Sequence, residues 1–157
     1  MSYQPAEDVS SLPADLRQVE PLWEVVLSKT ANRPTSRTRL YADGRQFTWS
    51  NSRRRLVDGK PRREAAPYAW RLDAQISADG VEQVLQLIRR EFVAIPGGKV
   101  GQLGADQGTT TWRSFVDGSA HVVTLPSNAT SQQPQAIRAI EYAILSSITP
   151  GAVPIEQ

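Results

Sequence analysis

Tyr68-Ala69-Trp70-Arg71-Leu72-Asp73-Ala74-Gln75-Ile76 is the stretch on which the fold turns. Tyr68, Trp70, Leu72, Ala74 and Ile76 fall at every second position, with Ala69, Arg71, Asp73 and Gln75 between them. Successive side chains of a strand point to opposite faces, so this alternation predicts a half-buried strand with its apolar set on one face. The period then changes. Ser77-Ala78-Asp79-Gly80 starts a helix, with Asp79 and Glu82 at capping-box spacing. Val81, Val84, Leu85, Ile88 and Phe92 give it an apolar stripe, and Ile95-Pro96-Gly97-Gly98 ends it.

Upstream, Arg37-Thr-Arg-Leu-Tyr-Ala, Asp43-Gly44 and Arg45-Gln-Phe-Thr-Trp49 read as a hairpin from about residue 37 to 50, because Asp-Gly supplies the positive φ angles of a tight turn. Residues 51–66 read as a basic loop with a short extension of that hairpin. They carry Arg53-Arg54-Arg55, a second Asp-Gly pair at 58–59, Lys60, Arg62 and Arg63. Nearer the N-terminus, Leu12, Leu16, Val19, Trp23, Val26 and Leu27 recur at three- and four-residue spacing. They predict a helix capped by Ser11, kinked at Pro21 or split there into two short helices, and stopped at Asn32-Arg33-Pro34.

Downstream, five glycines (97, 98, 101, 104, 108) mark a loop around a short strand at Lys99–Leu103. Thr109–Val116, Asp117-Gly118 and Ser119–Leu125 read as a second hairpin, and Pro134 opens a last helix with Ile137, Ile140, Ala143 or Ile144, and Ile148 on its stripe. Hairpins pair antiparallel, and helices with one apolar stripe must cover a sheet face. The expected fold is α+β: an antiparallel sheet of about four to six strands, two hairpins and a central strand, with two or three helices on one face. The expected organisation is an N-terminal helical extension at 1–34, one α+β domain at 35–148 and a tail at 149–157.

The 157 residues contain no Cys and a single His, His121, which excludes disulfides, thiolate metal sites, cysteine nucleophiles and two-histidine metal sites. No metal and no cofactor is expected. No apolar run is long enough to span a membrane, and Met1-Ser-Tyr-Gln-Pro-Ala-Glu-Asp8 is not a secretory signal, so the expected location is cytoplasmic.

Formal charge is +2, yet residues 33–63 hold ten Arg/Lys against Asp43 and Asp58, a net of +8. The rest holds eight basic and fourteen acidic residues, a net of −6. That segregation, rather than the total, points to a partner.

The span from Leu40 to Ile148 resembles, in layout, the small emfourin-like inhibitor domains of thermolysin-like metalloproteases and related bacterial domains. The shared features are Leu72-Asp-Ala-Gln-Ile-Ser77, the helix Asp79-Gly-Val-Glu-Gln-Val-Leu-Gln-Leu-Ile88, its exit Glu91-Phe-Val-Ala-Ile-Pro96, and Val116-Asp117-Gly118 before a terminal helix. The resemblance implies a small α+β domain and a protein-binding, inhibitory role. It assigns no binding residue.

Trp49, Arg53, Arg54, Arg55, Lys60, Arg62 and Arg63 form the candidate partner-binding site. Guanidinium groups pair bidentately with carboxylates, and aromatics with Arg carry much of the energy of interfaces. The expected activity is a non-catalytic protein-binding module, an inhibitor or accessory subunit, that meets an acidic partner surface. A nucleic-acid-binding domain using the same basic segment is the alternative. Tyr68 and Trp70 on the core face argue against base stacking. A small enzyme is the third class; His121 would need a nucleophile such as Ser114 or Ser119 and an orienting Asp117, and no elbow motif links them. The acids before glycine, Asp43, Asp58 and Asp117, suit turns.

Overall fold

A computed structural model describes residues 9–30, 33–99, 108–126 and 133–153. Two short 3-10 turns, Val9–Ser11 and Ala14–Leu16, precede four strands: β1 (Trp23–Thr30), β2 (Arg33–Leu40), β3 (Arg45–Val57) and β4 (Lys60–Gln75). Helix α1 (Ala78–Arg90), a 3-10 turn at Phe92–Ala94, β5 (Gly98–Lys99), β6 (Thr109–Val116), β7 (Ser119–Pro126) and α2 (Gln135–Ser146) follow. The strands make one sheet in the order β4-β3-β2-β1-β6-β7-β5. Six are antiparallel to their neighbours, and the two-residue β5 runs parallel to β7. The fold is α+β, with two helices. Of the expected glycine loop, positions 101 and 104 lie outside the described residues.

The main core joins sheet to helices. Trp23, Leu40, Ala74, Trp112 and Val123 from the strands meet Val84 and Ile88 of α1, Phe92 behind it, and Ile137 and Ile140 of α2. Burying each Val, Leu, Ile or Phe side chain among these stabilises by roughly 1.5–3 kcal/mol. Phe92, fully buried, stands edge-on to Trp23 with ring centroids 4.7 Å apart. Ser77, not Asp79, caps α1: its hydroxyl accepts from the Gly80 amide at 3.2 Å. Gly80 lets the two helices meet, since a Cβ there would fall 2.2 Å from that of Ser147.

The helix expected over residues 12–27 is not formed. Leu12 and Leu16 are buried, but each sits by a separate 3-10 turn, and Trp23 to Leu27 belong to β1 between β2 and β6. Pro21 ends the turns, and the β-branched pair Val25-Val26 suits a strand with neighbours on both sides.

The predicted strand at 68–76 is present, but its apolar set is divided. Gln46 faces Ala74 and Phe47 faces Leu72, so Asp73 is an extra residue in β4. A bulge of one residue reverses the faces beyond it. Ala74 and Ile76 therefore enter the helix-side core, whereas Trp70 and Leu72 join Leu12, Leu16, Tyr41, Phe47 and Trp49 in a second cluster. Asp73 accepts from Thr48 Oγ1 at 3.2 Å beside the bulge.

Ser11 completes that second cluster by accepting the Trp70 amide at 2.9 Å. This covers an amide of the edge strand β4 where the sheet would otherwise end unpaired. At the turn from β2 to β3 only Gly44 has positive φ, at 91°; Asp43 instead accepts from the Arg45 amide at 3.0 Å. The two-residue turns with both angles positive are Asp58-Gly59 and Asp117-Gly118.

Candidate functional site

Strand β3 pairs with β2 only from Gln46 to Trp49, whereas its pairing with β4 continues to Val57. Beyond Trp49 the two strands leave the sheet as a two-stranded ribbon about 24 Å long. The segment expected to be a basic loop is therefore a ladder. Its tip is Asp58-Gly59, with φ of 53° and 76°, the mirror-image turn that matches strand twist.

The base of the ribbon is irregular. Ser50 faces Ala69 and Ser52 faces Ala65, so Asn51 stands against three residues of β4. Arg71 bridges the break, donating to the Ser50 carbonyl at 2.6 Å and to the Pro67 carbonyl at 2.9 Å. Trp49 marks the point of departure. It is 2% exposed, stacked on Tyr68 at 5.8 Å and tilted against Trp70 at 5.7 Å. The Arg39 guanidinium lies 4.5 Å over Trp70 and pairs with Glu24 at 2.6 Å. Trp49 was expected to touch a partner; its ring is instead enclosed by this cluster, where it anchors the ribbon.

The six basic residues of the site are all on the ribbon. A turn at 58–59 sets Val57 opposite Lys60, and the register then places Arg55 opposite Arg62, Arg54 opposite Arg63 and Arg53 opposite Glu64. Two consecutive rungs are thus arginine against arginine, on opposite faces. Like charges directly across a ladder are destabilising. Glu64 relieves part of this, 2.7 Å from Arg53 Nε and 3.7 Å from Arg55. Arg63 donates to Ser52 Oγ at 3.1 Å. Arg54, Lys60 and Arg62 are exposed and have no carboxylate partner among the described residues. A symmetric run of arginines about an Asp-Gly pair was the sequence signal for these rungs, since the turn alone dictates the register.

Other candidates are spent within the fold. Asp117 holds Arg89 through two hydrogen bonds of 3.0 and 3.1 Å, and the Arg89 guanidinium draws its carboxyl below the ordinary value. Asp15 is lowered in the same way by Arg45, which also holds Asp43. Ser114 and His121 face each other across β6 and β7, but Ser114 is 1% exposed and His121 Nε2 meets the Ile95 carbonyl at 2.7 Å. An open cleft of about 550 Å³ lies near the first residues of β3, lined by Asp43, Ser77 and Glu82 among others. Among the described residues there is no group of three or more His, Asp or Glu able to hold a metal ion, and no helix long and apolar enough to cross a membrane.

Comparison of the sequence with family models and with curated proteins finds no match.

Proposed function

We propose that the chain is a non-catalytic protein-binding module whose β3–β4 ribbon is a cationic arm for an acidic partner. Both helices cover one face of the sheet, and the N-terminal turns help hold the other, so the arm projects from a firm base. The observation that carries this reading is the pair of arginine-on-arginine rungs, Arg54 with Arg63 and Arg55 with Arg62. An isolated ladder gains nothing from such rungs, whereas an anionic ligand relieves both. Glu64 offsets only part of the repulsion, and residues that break a local rule with incomplete compensation are expected at functional sites. An inhibitor of a thermolysin-like protease is one form such a module takes, and a cytoplasmic accessory subunit is another.

The test replaces Arg54 and Arg62, which hold no acid among the described residues, with Glu. Retention of partner proteins on the immobilised chain falls to background while the melting temperature is kept. Unchanged retention removes the reading, and an inhibition assay against a thermolysin-type protease checks the narrower form.

One observation favours a nucleic acid instead: a free two-stranded ribbon has the width that enters the major groove of duplex DNA. Trp49 and Trp70 are buried and offer no stacking platform, so such binding would rest on phosphate contacts and fall steeply with salt. Titration of duplex DNA at low and moderate salt separates the two readings.

A further inference from the structure

We infer that the outer edge of β3, from Ser50 to Val57, takes an extended acidic segment of the partner as an added strand. The inference rests on the reading above and names how the arm and its partner meet. Past Trp49 no described strand pairs with this edge. In a ladder alternate residues turn their amides and carbonyls away from the paired strand, so every second residue of this edge offers a template for another strand.

The two edges of the ribbon differ. Strand β4 carries Pro61 and Pro67 in its outer half, and prolines remove donors and blunt an edge. The facing stretch of β3, Ser50-Asn-Ser-Arg-Arg-Arg-Leu-Val57, has a donor at every residue. Edge pairing is thus directed to β3.

Charge selects the occupant. Arg53 and Arg55 point to one face of the ribbon and Arg54 to the other. A flat acidic surface would meet only one of these faces. An added strand sends successive side chains to both, so three consecutive carboxylates in an extended segment lie beside all three arginines. A second copy of the same edge would set arginine beside arginine, which like-charge repulsion opposes. The partner segment is accordingly an extended run of three or more acidic residues flanked by β-prone ones.

The experiment uses the full chain and a labelled octapeptide with a central Glu-Glu-Asp between valines and threonines. A second copy of the peptide is N-methylated at its central amides, which keeps the charge and removes the edge hydrogen bonds. Duplex DNA is the comparison probe. The expected result is binding that methylation weakens about tenfold or more, as loss of one or two hydrogen bonds requires. Hydrogen exchange at amides within 51–57 also slows about tenfold on binding.

Equal binding of both peptides with unchanged exchange overturns the added strand and leaves the acidic-partner reading standing. No peptide binding overturns the inference, and retention of natural partners by the Arg54→Glu, Arg62→Glu variant then decides the reading itself. Tighter binding of DNA than of peptide overturns both.

Discussion

The hairpins β3–β4 and β6–β7 close with the same chemistry and end in opposite situations. Asp58-Gly59 and Asp117-Gly118 have nearly identical backbone angles, 53° and 76° against 56° and 78°. The strands of β6–β7 stop at eight residues and lie inside the sheet, with Trp112 and Val123 in the core and Asp117 tied to Arg89. Those of β3–β4 run to 13 and 16 residues and overshoot the sheet by the whole ribbon. A turn is specified by two residues and the register it imposes. Whether strands are then covered depends on what the rest of the chain can lay against them, and for residues 51–66 neither core cluster among the described residues reaches them.

The comparison breaks first on core packing. Trp112→Ala in β6 costs about 4 kcal/mol, the range for deleting a large buried ring. Leu56→Ala in the ribbon costs less than about 1 kcal/mol, since Leu56 is only half-buried and belongs to neither core cluster. Urea unfolding of the two variants measures the gap, and equal losses would mean that the ribbon is packed as firmly as the sheet. The turn that joins β2 to β3 sharpens the point. Gly44→Ala places a Cβ 2.2 Å from the Ile76 carbonyl oxygen at a φ of 91°, and costs about 3 kcal/mol. The same change at Gly59 meets no atom within 4 Å, so only the turn's own strain, about 1 kcal/mol, is lost.

Function separates the hairpins next. Arg54→Glu with Arg62→Glu weakens partner binding at least about thirtyfold and shifts unfolding free energy by no more than about 0.5 kcal/mol. Arg89→Glu, at the other hairpin, leaves partner binding unchanged. Binding titrations and melting curves on the same samples check both statements.

The smallest effect is in acid. Hydrogen bonding from Arg89 holds the Asp117 carboxyl below 3.8, and Arg45 does the same to Asp15. A folded-state value below the unfolded one gives stability that is present above pH 3.8 and is lost as pH falls through the folded value. Asp117→Asn is therefore expected to flatten the fall in stability below that pH, measured by thermal melting from pH 5 to 2.5. An unaltered acid profile would show that the ion pair is not held in solution.

Local patterns made much of this fold legible. Both helices, the strand at 68–76 and the Asp117-Gly118 hairpin follow from periodicity and turn residues that act over a few positions. What escaped depends on distant partners. Strand β1 is recognised by what flanks it, Leu40 on one side and Ser114 on the other, both far along the chain from Trp23. The spacing of Leu12, Leu16 and Trp23 imitated a helix because two short turns each bury one leucine. The bulge at Asp73 hid within a perfect alternation, and it sends Trp70 and Ala74 to different cores. Of the candidate site, the arginines were evident and their rungs were implied by the turn. The burial of Trp49 was not, since it lies against Tyr68 and Trp70 of the paired strand, in a cluster that the distant Leu12 and Leu16 complete.

The arm itself admits a direct test. Joining Ser52 to Ala65 through an Asn-Gly turn deletes residues 53–64 and with them all six basic side chains, while the sheet, both cores and Trp49 stay in place. Partner retention and melting temperature are then measured together on the shortened and full-length chains. The account predicts a protein that melts within a few degrees of the original and retains no partner. A shortened chain that still retains the same partners would contradict it.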